Sequence, residues 1–124
     1  MSKPRSKLFN YAKREFRTAH GFTTAIHFGK QAKHMPGQPN HDATKSIITI
    51  PLARLQELVE LKAGTGTWHD SKETIDFGVE IGRYRKPGND KGLATSMGTI
   101  HYSKTGAHVV PAHPDSGARK GKRP

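Results

Sequence analysis

Leu52, Leu55, Leu58, Val59 and Leu61 recur at the three- and four-residue spacing of one helix face, behind Pro51 and ahead of Lys62 and Gly64. Proline suits a first helical turn and glycine a helix end, so this stretch predicts the best-defined helix of the chain, with Pro51 in its first turn. The sequence beyond it has a different period. Over residues 73–81, Ile75, Phe77, Val79 and Ile81 alternate with Thr74, Asp76 and Glu80, which predicts one half-buried strand. Only 32% of the 124 residues are hydrophobic and none is cysteine, so the core is small and carries no disulfide. A single apolar helix face beside alternating strands limits the chain to an α+β fold, a mostly antiparallel sheet packed under the helix.

The flanking segments read as follows. Residues 1–7 form a basic arm, and Leu8, Phe9, Ala12, Phe16 and Ala19 give a short amphipathic helix ended by Gly21. Residues 22–28 are expected to be extended, 35–44 loop, 46–50 a β-branched strand, and 64–72 a Gly/Thr loop around Trp68. A turn at Lys86-Pro87-Gly88-Asn89-Asp90 leads to a second strand ending at Tyr102. Lys104-Thr105-Gly106 then turns the chain into a third strand over 107–110, and the tail from Pro111 is expected to be disordered. The expected organisation is a basic arm and helix over 1–25, one domain over 26–114 and a basic tail over 115–124.

Twenty-one Lys and Arg against ten Asp and Glu give a formal charge of +11. A surplus of that size on a small chain holds a polyanion, with nucleic acid as the first partner and an acidic protein as the second. Membrane integration is not expected, because no long apolar run and no basic amphipathic helix with a rich apolar face occurs. The absence of cysteine excludes thiol chemistry. Met1-Ser2-Lys3-Pro4-Arg5 is basic but no apolar segment follows it, so a cytoplasmic site of action, or delivery without a classical leader, is expected.

Two segments carry the chemistry. In the C-terminal hairpin, parity turns Ile100 and Tyr102 inward and Thr99, His101 and Ser103 to the open face, with Thr105 and His108 within reach across the turn. Near the start, Lys30, Gln31, Lys33 and His34 precede a Pro/Gly loop. Imidazoles move protons near neutral pH, while lysines and hydroxyls stabilise a phosphorane, so the set suits phosphoryl transfer. The plain alternative is a set of surface strand residues. His20, His27, His34 and His41 fall seven apart, but Gly21, Gly29, Pro36, Gly37 and Pro39 interrupt any helix that would align them on a metal. Gly64-Thr65-Gly66-Thr67 resembles a phosphate-cradling loop without the lysine of one, leaving a backbone-donor loop or a plain turn. Trp68 and Tyr84 are candidates for stacking on bases or for ordinary packing.

Four blocks recur in the order of a known family: Phe28-Gly-Lys-Gln-Ala-Lys-His-Met-Pro-Gly37; Lys45-Ser-Ile-Ile-Thr-Ile50; Leu55-Gln-Glu-Leu-Val59 with Lys62-Ala-Gly-Thr-Gly66; and Ile100-His-Tyr-Ser-Lys-Thr-Gly-Ala-His-Val-Val-Pro111. The chain resembles the bacterial polymorphic toxin type 50 domain, also seen at the C-termini of phage head-morphogenesis proteins, over about residues 26–114. The resemblance implies a ribonuclease toxin of the barnase/EndoU/colicin/RelE-like fold, with N-terminal helical elements followed by a curved, mostly antiparallel β-sheet. It also implies action without a metal or other cofactor, and neutralisation by a dedicated immunity protein. By position, the family's blocks fall on Lys30, Gln31, Lys33 and His34, on Lys45 and Ser46, and on His101, Ser103, Lys104, Thr105 and His108. The sequence departs from the family at Thr44, where a glycine is usual, and in the Gln-Pro-Asn-His-Asp-Ala stretch at 38–43.

The chemistry then expected is cleavage of RNA, transfer RNA among the candidates, to a 2′,3′-cyclic phosphate and a 5′-hydroxyl in a bacterial cytoplasm. His34 and His101 are the acid/base pair and His108 the reserve for either. Lys30 or Lys33 neutralises the phosphate, and Ser103 and Thr105 donate to the phosphorane. Gln31, Lys45, Ser46, Lys104, Thr65 and Thr67 are candidate RNA contacts. An acidic immunity protein would cover the positive cleft, and a secreted or phage-borne effector would deliver the domain. The rival reading is a non-catalytic basic module that binds RNA or DNA, in a phage context among others.

Overall fold

The computed structural model describes residues 16–35, 45–86 and 89–116; expectations for 1–15, the loop at 36–44, Pro87, Gly88 and the tail beyond 116 lie outside these residues. Among the described residues, nine short strands and two α-helices give an α+β fold. In chain order they are β1 (Thr18–Ala19), β2 (Phe22–Thr23), α1 (Phe28–Gln31), β3 (Ile47–Ile48), α2 (Leu52–Lys62), β4 (Thr67–His69), β5 (Lys72–Asp76), β6 (Gly82–Lys86), β7 (Asn89–Thr95), β8 (Met97–His101) and β9 (His108–Pro111); a 3₁₀ turn, Ala32–His34, follows α1. The strands form antiparallel sheets of order β1-β2, β3-β6-β7 and β4-β5-β8-β9.

The α2 helix begins one residue later than expected, with Pro51 as its N-cap. Leu55, Leu58 and Val59 enter one core with Ile26, Ile48, Ile75, Phe77, Ile81, Ile100 and Val109. Leu61 does not belong to the stripe: it is 70% exposed, and Gln56 is buried in its place. The Gln56 amide explains the exchange. Its Nε2 donates to the Thr24 carbonyl and its Oε1 accepts from Ile26 N–H, both at 2.8 Å, so a polar side chain completes the hydrogen bonding of a buried strand-like segment.

Other expectations are corrected. Residues 18–23 are a hairpin and not the end of a helix, because His20 (φ 53°) and Gly21 (φ 85°) make the two-residue turn of positive φ that joins twisted strands tightly. This hairpin packs on the domain: Ala19 and Phe22 meet the core, and Arg17 Nε donates to the Glu60 carbonyl at the end of α2 (2.8 Å). Trp68 lies in strand β4, not in a loop. The long strand expected over 73–81 stops at Asp76, whose Oδ1 accepts from Gly78 N–H (2.9 Å) and the Ser96 hydroxyl (2.8 Å) and bends the chain away, leaving Val79 exposed. The strand expected to run unbroken to Tyr102 is divided at Ser96 into β7 and β8, which serve different sheets. Residues 111–116 are held, with Ala112 N–H on the Met97 carbonyl and the Thr95 hydroxyl on the Ala112 carbonyl (both 2.8 Å).

Candidate active site

The site forms where the start of the domain meets its last hairpin. Ile26 pairs in parallel with Ala107; His27 N–H donates to the Ala107 carbonyl and Ala107 N–H to the Ala25 carbonyl, both at 2.8 Å. This bridge sets α1 beside β9. His27 caps the helix, its Nδ1 accepting from Lys30 N–H (3.2 Å). Gln31, fully buried, then grips β9: its Nε2 donates to the Val109 carbonyl (2.9 Å) and its Oε1 accepts from Val109 N–H (2.7 Å). Both ends of that amide are engaged within the protein, so Gln31 positions α1 against β9.

One residue earlier, the Lys30 ammonium reaches over the hairpin turn. Its Nζ donates to Ser103 Oγ (3.2 Å) and Thr105 Oγ1 (3.3 Å), and the two hydroxyls are 3.1 Å apart. The turn itself is closed by reciprocal backbone bonds between Ser103 and Gly106. Ile100 and Tyr102 are buried, and His101 sits on the opposite, open face in register with His108. These two imidazoles stack with centroids 4.8 Å apart, and His34 stacks on His108 at 6.0 Å. Three sequence-distant histidines and Lys30 are therefore one cluster.

His34 is the innermost of them, 7% exposed. Its Nδ1 meets the Ser46 carbonyl at 3.0 Å; a carbonyl only accepts, so Nδ1 carries the hydrogen and the neutral ring holds its lone pair on Nε2. Ser46 is buried too, accepting from Arg85 N–H (2.9 Å) and so pinning β3 to β6. It orients His34 through its carbonyl, while its hydroxyl is engaged by the Arg85 backbone. Lys33, Lys45 and Lys104 are exposed around this cluster.

The cluster is electrostatically lopsided. Burial, then the neighbouring His101, His34, Lys30 and Lys33, hold the His108 ring down to about 3. Burial, Lys72 and His34 lower His101 as well. Burial is the larger cause in both rings, and the positive neighbours add to it. Lys72 is the member that sequence reading missed. Strand pairing places it opposite His101, a fact visible only once β5 and β8 are known to be neighbours.

Thr65 and Thr67 are not brought into this cluster. The Gly64-Thr65-Gly66 loop is a backbone-donor loop, but its anion is internal: Glu73 accepts from Gly64 N–H (2.8 Å) and Gly66 N–H (2.7 Å). Glu73 is fully buried on the core face of β5 and also accepts from the Tyr102 hydroxyl (2.7 Å), while His20 Nε2 lies 3.5 Å away. Burial and that carboxylate push the Tyr102 phenol up. Thr65 donates its hydroxyl to the Lys62 carbonyl (2.7 Å), and Thr67 lies in β4, two strands from His101. Trp68 stacks on His20 at 3.9 Å and packs near Tyr102 and Phe22, so it belongs to this second cluster. His20, His27 and His34 serve three separate places, in keeping with the broken heptad spacing. Among the described residues, no group of three or more histidine or acidic side chains is arranged to hold a metal ion.

Residues 26–111, from the Ile26 bridge to the end of β9, match the model of a family described as bacterial toxin 50. The chain belongs to that family. The match spans every element that builds the histidine cluster and leaves out the β1-β2 hairpin. No curated protein matches the chain. Among the described residues of this toxin domain, no helix is long and apolar enough to cross a membrane.

Proposed function

We propose that the toxin is a ribonuclease that cuts RNA by attack of the ribose 2′-hydroxyl on the adjacent phosphorus. The observation that carries this reading is the cluster of His34, His108 and His101 beside Lys30, with His101 and His108 held below the ordinary histidine value and a hydroxyl-bonded ammonium. A phosphodiester supplies the negative charge that this cluster lacks, and its binding raises the pKa of both outer-facing rings.

The roles follow from access. His101 and His108 are partly exposed, whereas His34 is buried, so the acid/base pair is His101 with His108, and His34 orients them through its contact with His108. His108, neutral in the free site, takes the 2′-hydroxyl proton as the O2′–P bond forms. His101, protonated beside the bound anion, gives a proton to O5′ as the P–O5′ bond breaks. The products are a 2′,3′-cyclic phosphate and a 5′-hydroxyl. Lys30, with Ser103 and Thr105 held on it, stabilises the charge on the phosphorane oxygens. Lys33, Lys45 and Lys104 add to the field that draws the RNA in. An immunity protein with an acidic surface would neutralise the toxin by covering this face, and the substrate places its action in a bacterial cytoplasm, after delivery by a secreted or phage-borne effector.

The test is incubation of purified protein with total bacterial RNA in EDTA, beside His101→Ala and His108→Ala. Chelator-resistant cleavage with cyclic-phosphate ends, lost in both variants, supports the reading. Intact RNA with salt-sensitive binding, unchanged in the variants, leaves a basic nucleic-acid-binding module instead.

A further inference from the structure

Lys72 opens β5 opposite His101, and His101 stands opposite His108, so Lys72, His101 and His108 form one row across three adjacent strands. His69 of β4 extends the row beyond Lys72. One rung along, Thr67, Thr74 and Thr99 form a parallel row on the same face, with the Thr74 and Thr99 hydroxyls hydrogen-bonded at 3.0 Å. Lys30 lies at the other end, on the hydroxyls of Ser103 and Thr105 past the end of β8. Lys30 thus stands at the β8-β9 turn and Lys72 on β5, across β8 from His108.

Strands in a sheet lie ~4.8 Å apart, so Lys72 and His108 are separated by roughly 10 Å along the row. That is the scale of a neighbouring phosphodiester, not of a second oxygen on the same phosphate. Lys72 is exposed, and among the described residues no carboxylate pairs with it; Asp70, close in sequence, faces His69 instead (3.7 Å).

We propose that Lys72, backed by the hydroxyl row of Thr67, Thr74 and Thr99, is a second phosphate-binding subsite, which takes the phosphodiester next to the one that is cut. The RNA strand then lies across the strands of the sheet, from the β8-β9 turn toward β4. This rests on the ribonuclease reading above, and the test separates the two.

Lys72→Ala and Lys72→Arg are compared with the parent protein on a dinucleoside monophosphate, which has one phosphodiester, and on a short single-stranded oligonucleotide. Binding of the all-deoxy oligonucleotide, which lacks the attacking hydroxyl, is followed against salt. Lys72→Ala is expected to raise KM for the oligonucleotide about tenfold more than KM for the dinucleoside monophosphate, and to lower the salt slope of binding by about 0.7, the value of one single-strand phosphate. Lys72→Arg restores the oligonucleotide KM and the salt slope. Equal loss on both substrates would place Lys72 at the scissile phosphate and overturn the subsite, and so would no loss on either. If the parent protein cuts no RNA, the ribonuclease reading fails and the salt slope alone decides: a drop upholds the second phosphate contact, and an unchanged slope removes it.

Discussion

The two faces of the β4-β5-β8-β9 sheet use the same kinds of group to opposite ends. On the core face, Glu73 is a buried anion whose surroundings answer it completely: two backbone N–H groups, the Tyr102 hydroxyl and His20 converge on one carboxylate. On the open face, Lys30, Lys72, His34, His101 and His108 gather with no carboxylate among the groups that shift their rings. Adjacent residues of one strand, Lys72 and Glu73, head the two arrangements. A charge satisfied from within contributes to the fold; a charge left unanswered stays available to a ligand. The comparison teaches that a donor loop or a histidine is functional only where the fold leaves its partner outside.

The largest effect expected is on the open face. His101→Ala or His108→Ala should cut the rate of RNA cleavage on the order of 100- to 10,000-fold while binding to RNA changes little, read by single-turnover kinetics and anisotropy. A loss of binding equal to the loss of rate would break the distinction between the two faces. Glu73→Ala inverts the effect. It strands the Gly64 and Gly66 N–H groups and the Tyr102 hydroxyl, and should cost on the order of 3–5 kcal/mol in urea unfolding, with the folded fraction still competent to cut RNA.

Acid separates the faces next. His108 is held at about 3 in the fold, well below the ordinary histidine value of 6.5. Between those values the unfolded chain binds a proton that the folded chain does not, so stability is full above the ordinary value and falls as pH drops toward 3. His108→Gln should flatten the fall in Tm between pH 7 and pH 5, and an equally steep fall in that variant would move the acid sensitivity elsewhere. The smallest effect belongs to Thr65. Its loop serves Glu73, so Thr65→Ala should change RNA cleavage less than about twofold; a larger loss would bring that loop back to the substrate.

Much of this was legible in the chain itself. The α2 stripe, the parity that buries Ile100 and Tyr102 and exposes His101, and the turn at Lys104-Thr105-Gly106 are local patterns, and local patterns survive without tertiary help. So was the membership of His34, His101, His108, Lys30, Ser103 and Thr105 in one set. The errors arose where a side chain answered to a distant backbone. Gln31 read as a candidate RNA contact and Gln56 fell outside the apolar stripe, yet each amide completes the hydrogen bonding of a buried segment far along the chain. Thr65 read as part of a phosphate loop because a sequence does not show that Glu73 lies beneath it.

The sequence by itself determined the charge, the single apolar helix face and which residues of the last hairpin face outward. Those depend on composition and on periods of a few residues. Tertiary structure alone decided that His34 and His101 both stack on His108, that Ser46 presents its carbonyl to His34, and that Lys72 joins the row. Strand order and register set these neighbours, and register is fixed by the burial of whole faces, a property no short stretch of sequence contains.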